Sequence, residues 1–309
     1  MDSFIVSDAP FIHGKNDINK MFLFVAAALV LPAIYGVIYF GLNALLLIFT
    51  SIATCFLSEC LFNLVNGKKF FVDNFSFFVT SLILALTMPY NAPFYYVIGS
   101  GFFAVFIVKF ALGGLGINKF NPANTGRCFA GILSAGFAGE FYNITVNGDN
   151  LTSLTAGGTN TLTNLFSGQA VGGIGTTCII ILFLCLIFLA YTRVIELKIS
   201  LLAIVSYFIT QVAIIGLEPA MINMLSGSFL FVSIFVITDP NTSPNSLPGK
   251  LLYSILFGVL SALVWNLGLL GENTIFVVAL FVNMLVPFMD KYLVWRPLNL
   301  GGFRNAHKK

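Results

Sequence analysis

Residues 147–161, NGDNLTSLTAGGTNT, set Asp149 among the hydroxyls of Thr152, Ser153 and Thr155 without one basic residue. The stretch holds one N-glycosylation sequon, Asn150-Leu-Thr152, and a second, Asn143-Ile-Thr145, lies just before it; the short pattern arises often by chance. A second set lies in 113–127, GGLGINKFNPANTGR. Its glycines permit tight turns, and Asn121 before Pro122 can start a helix. The backbone N–H groups with Lys119 and Arg127 can hold a phosphate or a polar ring; a plain re-entrant turn explains the same residues equally well. A third set, FSGQAVGGIGTTC over 166–178, carries Gly168, Gly172, Gly173 and Gly175. Glycines so spaced serve backbone packed against something flat or bulky, or a flexible re-entry into a span. Carboxylates within or near apolar runs are few: Glu59, Asp73, Glu196, Asp239 and Asp290. Charge inside a membrane is costly and marks function by default, so Asp239 and Asp73 are candidates for an ion path. The competing reading of Asp239 is a helix-end carboxylate at the inner interface.

Other chemistries are disfavoured. The five cysteines form no CxxC and lie mostly in or at the ends of apolar runs, so they read as small buried residues rather than metal ligands. GSGFFA (99–104) fits a dinucleotide fingerprint by letter, yet it sits inside an apolar run with no strand before it. There it reads as small residues that let helices approach. Nothing resembles a hydrolytic triad, a metalloenzyme helix or a nucleotide cradle.

The elements that position these groups are membrane helices. Charged residues make up 9% of the chain and hydrophobic ones 58%, against about 25% charged in a soluble domain. The N-terminal segment lacks a basic run before a short apolar core and is not read as a secretory signal. Ten membrane segments are expected: 21–40, 43–64, 75–88, 94–112, 122–138, 172–191, 197–216, 225–238, 249–267 and 274–290. With a cytoplasmic N-terminus, the inside regions hold every Lys and Arg, with Lys109 snorkelling from the inner end of the fourth segment and Arg127 placed in an inside connector. The outside loops hold Glu140, Asp149, Glu218 and Glu272. Such asymmetry obeys the positive-inside rule and places the loop over 139–171 outside.

The segments divide into two groups of five. LTMPYNAP (86–93) and ITDPNTSP (237–244) both read Thr-x-Pro-x-x-x-Pro at the end of a short third segment. An odd number of spans per repeat inverts the second copy. Short, Pro-ended segments at matching places in inverted halves are the mark of half-helices meeting near the midplane. Runs this short cannot cross about 30 Å of hydrocarbon, so their free ends must be satisfied inside protein. Pro-kinked full spans are the alternative. The expected organisation is an N-terminal segment 1–20, a first five-helix repeat 21–138, a loop 139–171, a second repeat 172–290 and a basic tail 291–309.

Together these motifs resemble the D subunit of the Rnf electron-transport complex and its relative, the B subunit of the sodium-pumping NADH:quinone reductase. GGLGINKFNPANTGR is similar to the family's Gly-Gly-x-Gly-x-Asn-x-x-Asn-Pro-Ala-x-x-Gly-Arg segment. LFSGQAVGGIGTT is similar to a second family segment, with Thr176 where Glu is usual, and ITDPNTSP matches its Thr-Asp-Pro-x-Thr-Ser-Pro run. APFIHGKND is a looser echo of the family's start, and the short N-terminus favours the Rnf member. The resemblance implies an all-α polytopic fold of two inverted repeats, similar to urea transporters. It also implies FMN joined through a phosphoester to the last Thr of an Asp-x-x-Ser/Thr-Gly/Ser-Ala-Thr loop. Asp149, Thr152, Ser153 and Thr155 fall on that pattern, with Leu154 in the Ala position. Thr155 is then the acceptor, and Gly172, Gly173, Asn121 and Arg127 the further cofactor-binding candidates. Riboflavin is implied as a second flavin toward the inner half. Implied partners are the A, B, C, E and G subunits, a flavin transferase and membrane lipid, with no nucleic acid. The expected function is a redox subunit coupling ferredoxin–NAD⁺ electron transfer to Na⁺ or H⁺ export at the cytoplasmic membrane. A channel or transporter for a small polar solute, built on the same repeats, and a purely structural membrane subunit are the competing readings.

Overall fold

The computed structural model describes residues 18–67, 75–111, 120–135, 145–146, 149–150, 172–225, 228–268 and 271–293. Its helices are α1 (Ile18–Phe40), α2 (Leu42–Val65), α3 (Ser76–Thr87), α4 (Phe94–Phe102), α5 (Pro122–Ala135) and α6 (Ile179–Tyr191), followed by α7 (Leu197–Ile215), α8 (Leu217–Leu225), α9 (Phe229–Phe231), α10 (Leu247–Asn266) and α11 (Thr274–Tyr292). α4 runs on as a π-helix over Phe103–Ala111, and α9 does so over Val232–Val236. Two strands of two residues, β1 (Thr145–Val146) and β2 (Asp149–Asn150), pair antiparallel with Val146 opposite Asp149.

Local chemistry explains most boundaries. Gly41 alone joins α1 to α2, and Gly216 alone joins α7 to α8. Their φ values of 76° and 90° lie where a Cβ is disfavoured. α5 opens on Pro122, with the Asn121 Oδ1 accepting the Asn124 N–H at 3.1 Å, as an N-cap does. α10 opens the same way, with the Ser246 hydroxyl accepting from the Gly249 N–H and Pro248 in its first turn.

Among the described residues, six helices are long and apolar enough to span a membrane: α1, α2, α4 with its π-helical extension, α7, α10 and α11. α8 and α9 with its π-helical continuation to Val236 pass that test only together, and they bend 63° between them. Many large apolar side chains point away from the protein; Ile38 and Ile187 are 78% and 64% exposed. A surface of this kind is solvated by lipid, and the chain is a multi-pass membrane protein. The GSGFFA run lies at the end of α4 and start of its π-helix. A Cβ on Gly101 would sit 3.2 Å from Thr54 of α2, so the glycine allows close helix approach. All five cysteines are buried.

The spans differ from the expectation in three places. The sixth segment is helical only from Ile179; residues 172–178 are irregular. The stretch 217–224, expected as an outside loop with Glu218, forms most of α8 and bends into α9. Lys109 and Arg127, expected as a snorkelling residue and a connector cation, are 1% and 3% exposed. Both are used inside the protein.

α3 shows how a broken helix is completed. Its 12 residues reach about 18 Å, so its last carbonyls end within protein. The Leu86 carbonyl accepts the Gly175 N–H at 2.8 Å, and the Met88 carbonyl accepts the Ile174 N–H at 2.9 Å. The Thr87 carbonyl accepts Arg127 Nε at 3.0 Å. Segment 172–178 thus satisfies a helix end that no water reaches. α3 and α9 share two details. The Ser51 hydroxyl of α2 donates to the Ser81 carbonyl of α3, and the Ser200 hydroxyl of α7 donates to the Ser233 carbonyl in the π-helix that continues α9, both at 2.8 Å. Thr87 and Thr238, the first residues of the two Thr-x-Pro signals, each return their hydroxyl to the carbonyl four residues back.

Candidate functional site

The broken helices surround a cavity of about 220 Å³. Its walls come from α1 (Met21, Phe22, Val25), α3 (Ser76, Val79, Thr80, Ile83), the start of α5 (Asn121, Pro122, Ala123) and the end of α6 with the turn after it (Leu189, Val194, Ile195). One π-helix contributes Lys109, the other Ile234 and Phe235, and the turn Thr238–Asn241 adds further polar groups. π-helices hold well under 1% of residues in proteins and recur at functional sites. Here both converge on one space.

Asp239 is positioned by its own turn. Its Oδ1 accepts the Asn241 N–H at 3.1 Å, and its carbonyl accepts the N–H groups of Thr242 and Ser243 at 3.1 and 3.0 Å. Its Oδ2 accepts Asn121 Nδ2 at 3.0 Å. Asn121 therefore caps α5 with its oxygen and joins the Thr-Asp-Pro turn with its nitrogen. This brings together two candidates that lie 118 residues apart. Lys109 Nζ donates to Glu59 Oε2 at 2.6 Å and to the Ser76 hydroxyl at 2.7 Å. The pair is 2% and 5% exposed at its side chains.

Arg127 lies apart from this cavity, within α5. Besides the Thr87 carbonyl, its guanidinium donates to Asn273 Oδ1 at 2.8 Å and stacks over the Phe276 ring at 4.8 Å. It ties the end of α3 to the start of α11. Gly173 approaches protein main chain: a Cβ there would lie 2.7 Å from the Leu86 oxygen and the Thr87 carbonyl. On Gly172 it would meet the Thr176 hydroxyl at 2.3 Å, and that hydroxyl accepts the Gly173 N–H at 2.7 Å. Thr176 thus shapes this turn. Gly173→Ala is expected to lower stability by about 1–3 kcal/mol through overpacking. Gly99→Ala, whose Cβ would meet only Leu133 at an ordinary 3.5 Å, should change it little. Thermal unfolding of the two variants in one detergent checks this; equal midpoints would contradict the tight packing.

Of the remaining candidates, Thr152, Ser153, Thr155, Asp73, Lys119 and Gly168 lie outside the described residues. Asp149 is described by its backbone in β2 alone. The Glu59–Lys109 pair was not foreseen from sequence. Its signal was there: two opposite charges, each in an apolar run, are each costly alone and need a partner.

Most of the cavity walls are apolar, among them Val25, Val79, Ile83 and Phe235. Asn121, Asp239 and Asn241 offer both donors and acceptors to a polar ring edge. Among the described residues, Asn124 Oδ1 and Thr242 Oγ1, each next in sequence to a lining residue, are buried without a hydrogen-bond partner. An apolar pocket with a few convergent polar groups is the usual form of a cofactor site.

Fold and site together define a class: polytopic membrane proteins whose interrupted helices close around an internal, mostly apolar cavity with a few polar groups. Comparison with known proteins makes this specific. Residues 5–299 match the family model for NQR2, RnfD and RnfE, and the chain belongs to the NQR2, RnfD, RnfE family. It is 27% identical to the D subunit of the proton-translocating ferredoxin:NAD(+) oxidoreductase complex of Clostridium ljungdahlii, over 96% of each chain. It is 29% identical to the D subunit of the Na(+)-translocating ferredoxin:NAD(+) oxidoreductase complex of Acetobacterium woodii, over 76% of each chain. It is 28% identical to the D subunit of the ion-translocating oxidoreductase complex of Stutzerimonas stutzeri, over 96% of this chain and 95% of the relative. Two relatives of similar identity are named for different ions, so the ion is not carried by the likeness.

Proposed function

We propose that this chain is the D-type membrane subunit of an Rnf-like ferredoxin:NAD⁺ oxidoreductase complex, that it bears FMN on Thr155, and that it relays electrons coupled to Na⁺ or H⁺ export. The family match across nearly the whole chain supports the subunit role. The observation that carries the flavin is the preserved spacing Asp149-x-x-Thr152-Ser153-x-Thr155 in the segment between α5 and α6. A phosphoester needs only a hydroxyl, so Thr suffices for the acceptor. Gly157 and Gly158 beside it permit the turns that entry into a transferase's site demands. FMN and riboflavin, when bound, supply one-electron and hydride chemistry that no side chain here provides.

On this reading the cavity takes the riboflavin ring, with Asn121 and Asp239 holding its polar edge and the apolar walls excluding water. The helices form two inverted five-helix repeats giving ten membrane segments, of which α3 and α9 are half-helices. The paired Ser51–Ser81 and Ser200–Ser233 bonds and the twin Thr-x-Pro ends support that arrangement. The termini lie on the cytoplasmic side of the inner membrane and the 139–171 loop outside, as the placement of basic residues favours. Asp239 and Asp73 are the ion-path candidates. Asp239→Asn should then lower ion-coupled activity of the assembled complex severalfold; unchanged activity would remove Asp239 from the path.

The test of the flavin assignment is fluorescence of the chain on a denaturing gel after coexpression with a flavin transferase. A fluorescent band supports it, and a dark band with an active transferase overturns it. Solute flux through the purified chain without redox cycling would favour the transporter reading.

A further inference from the structure

Arg127 is a buried cation whose partners are neutral. They are the Thr87 carbonyl at 3.0 Å, Asn273 Oδ1 at 2.8 Å and the Phe276 ring at 4.8 Å. Among the described residues, no carboxylate pairs with it. A guanidinium keeps its proton in proteins, and the last carbonyls of a helix carry only a partial negative charge. Its described contacts therefore leave most of its positive charge uncompensated, at 3% exposure. A charge held inside a membrane at that cost marks function by default. Its place is specific. On α3 the cavity wall runs through Ser76, Val79, Thr80 and Ile83, and Thr87 comes next on that stripe. On α5 Ala123 lines the cavity, and Arg127 follows four residues on. Residues four apart share a helix face, so both stripes lead to Arg127, about 6 Å further along each helix. Pro240 and Asn241, which also line the cavity, are exposed at the surface. The Asp239 carboxylate beside them is held by Asn121, six residues before Arg127 in the chain.

We propose that Arg127 is a fixed positive barrier that stops small cations from passing between α3 and α5 beyond the cavity. A single buried arginine excludes cations in other pores by the same physics: its charge is permanent, and few charges nearby screen it. The broken helix explains why the barrier stands here. Where α3 stops, its last carbonyls could coordinate a cation as a filter does. Gly175 and Ile174 take two of those carbonyls with main-chain hydrogen bonds, and Arg127 takes the third, at Thr87. A cation drawn to Asp239 then meets Arg127 next along α5. Its way out is sideways, toward another subunit, and not across this chain at the end of α3. This inference goes beyond the redox reading and needs no bound flavin.

The experiment measures Na⁺ and K⁺ flux into sealed liposomes that hold the purified full chain. The wild type should be as tight as protein-free liposomes. Arg127→Gln removes the charge and should raise cation flux at least about tenfold, the scale of one unscreened charge acting over a few ångströms. Arg127→Lys loses the planar fork and its hydrogen-bond geometry but keeps the charge, so it should stay tight. Asn273→Asp leaves Arg127 in place and sets a carboxylate where Oδ1 now stands, 2.8 Å from Nη1. Neutralised in this way, the barrier should leak as Arg127→Gln does. Where Arg127→Gln fails to fold, Asn273→Asp decides alone: a leak supports the barrier and a tight liposome overturns it. Equal leaks in Arg127→Gln and Arg127→Lys show that the side chain seals by its shape, and that overturns the proposal. So does a wild type that passes cations, or a set of variants that all stay tight.

Discussion

Thr155→Ala is expected to extinguish the flavin band of this chain completely, while Thr152→Ala and Ser153→Ala leave it visible. The difference is chemical rather than conformational. The acceptor of a phosphoester is one oxygen, and alanine has none to offer, so the loss is total and independent of transferase concentration. Thr152 and Ser153 hold the earlier positions of the pattern, where they would be read by the transferase without being modified. Their removal slows recognition and leaves the nucleophile in place. Thr155→Ser keeps an oxygen at the same position and should restore a band. Equal fluorescence in Thr155→Ala and wild type would move the attachment to another residue. A band lost equally in all three alanine variants would show that the spacing alone does not single out Thr155.

Glu59→Gln carries the second large effect, on stability. It removes the Glu59 carboxylate from the Lys109 ammonium, which is buried at 1% exposure. Breaking a buried ion pair by removing one side destabilises by about 3–5 kcal/mol, whereas replacing both charges with neutral groups is often neutral. The double variant Lys109→Met/Glu59→Gln should therefore unfold well above Glu59→Gln in the same detergent. By contrast, Glu196→Gln breaks the contact with Lys250, where Glu196 is 51% exposed. An exposed pair contributes about 0–1 kcal/mol, so that midpoint should barely move. If Glu59→Gln and Glu196→Gln unfold alike, the buried pair is not what holds α2 to the π-helix.

What could be read from the chain was whatever local chemistry decides. The Thr-x-Pro signals placed the ends of α3 and of the π-helix that continues α9, because proline cannot continue a helix and the residue before it leaves the α region. Asn121-Pro122 placed the start of α5 for the matching reason at the other end. The shortness of residues 75–88 required a helix end satisfied inside protein, and Leu86, Thr87 and Met88 are satisfied there. What could not be read depends on partners far away in sequence. Residues 217–224 carry Glu218, Pro219 and Asn223, which read as loop, and they become helical because α8 packs on α7 and α9. Arg127 counted as a connector cation because its acceptors, the Thr87 carbonyl and Asn273, lie 40 and 146 residues away. The π-helices have no sequence signature. The site was legible in part: Asn121 and Asp239 were both singled out, and their contact through one hydrogen bond was not.

The glycines of GGIG sharpen the same point. Their spacing called for something bulky against the backbone, and at Gly173 that object is the carbonyl end of α3. This gives residues 172–178 a structural task beside any role toward a flavin, and it separates two expected phenotypes. Changes at Gly173 act first on folding, whereas changes at Thr155 act on flavin content alone.

The central claim, that this family member is a flavin-bearing redox subunit attached through one threonine, is tested most directly by peptide mass spectrometry of the 139–171 loop from the purified native complex. The peptide containing Thr155 is expected to carry the mass of FMN less one water, with fragment ions placing it on Thr155. An unmodified Thr155 in a complex whose transferase modifies its other substrates would contradict the account.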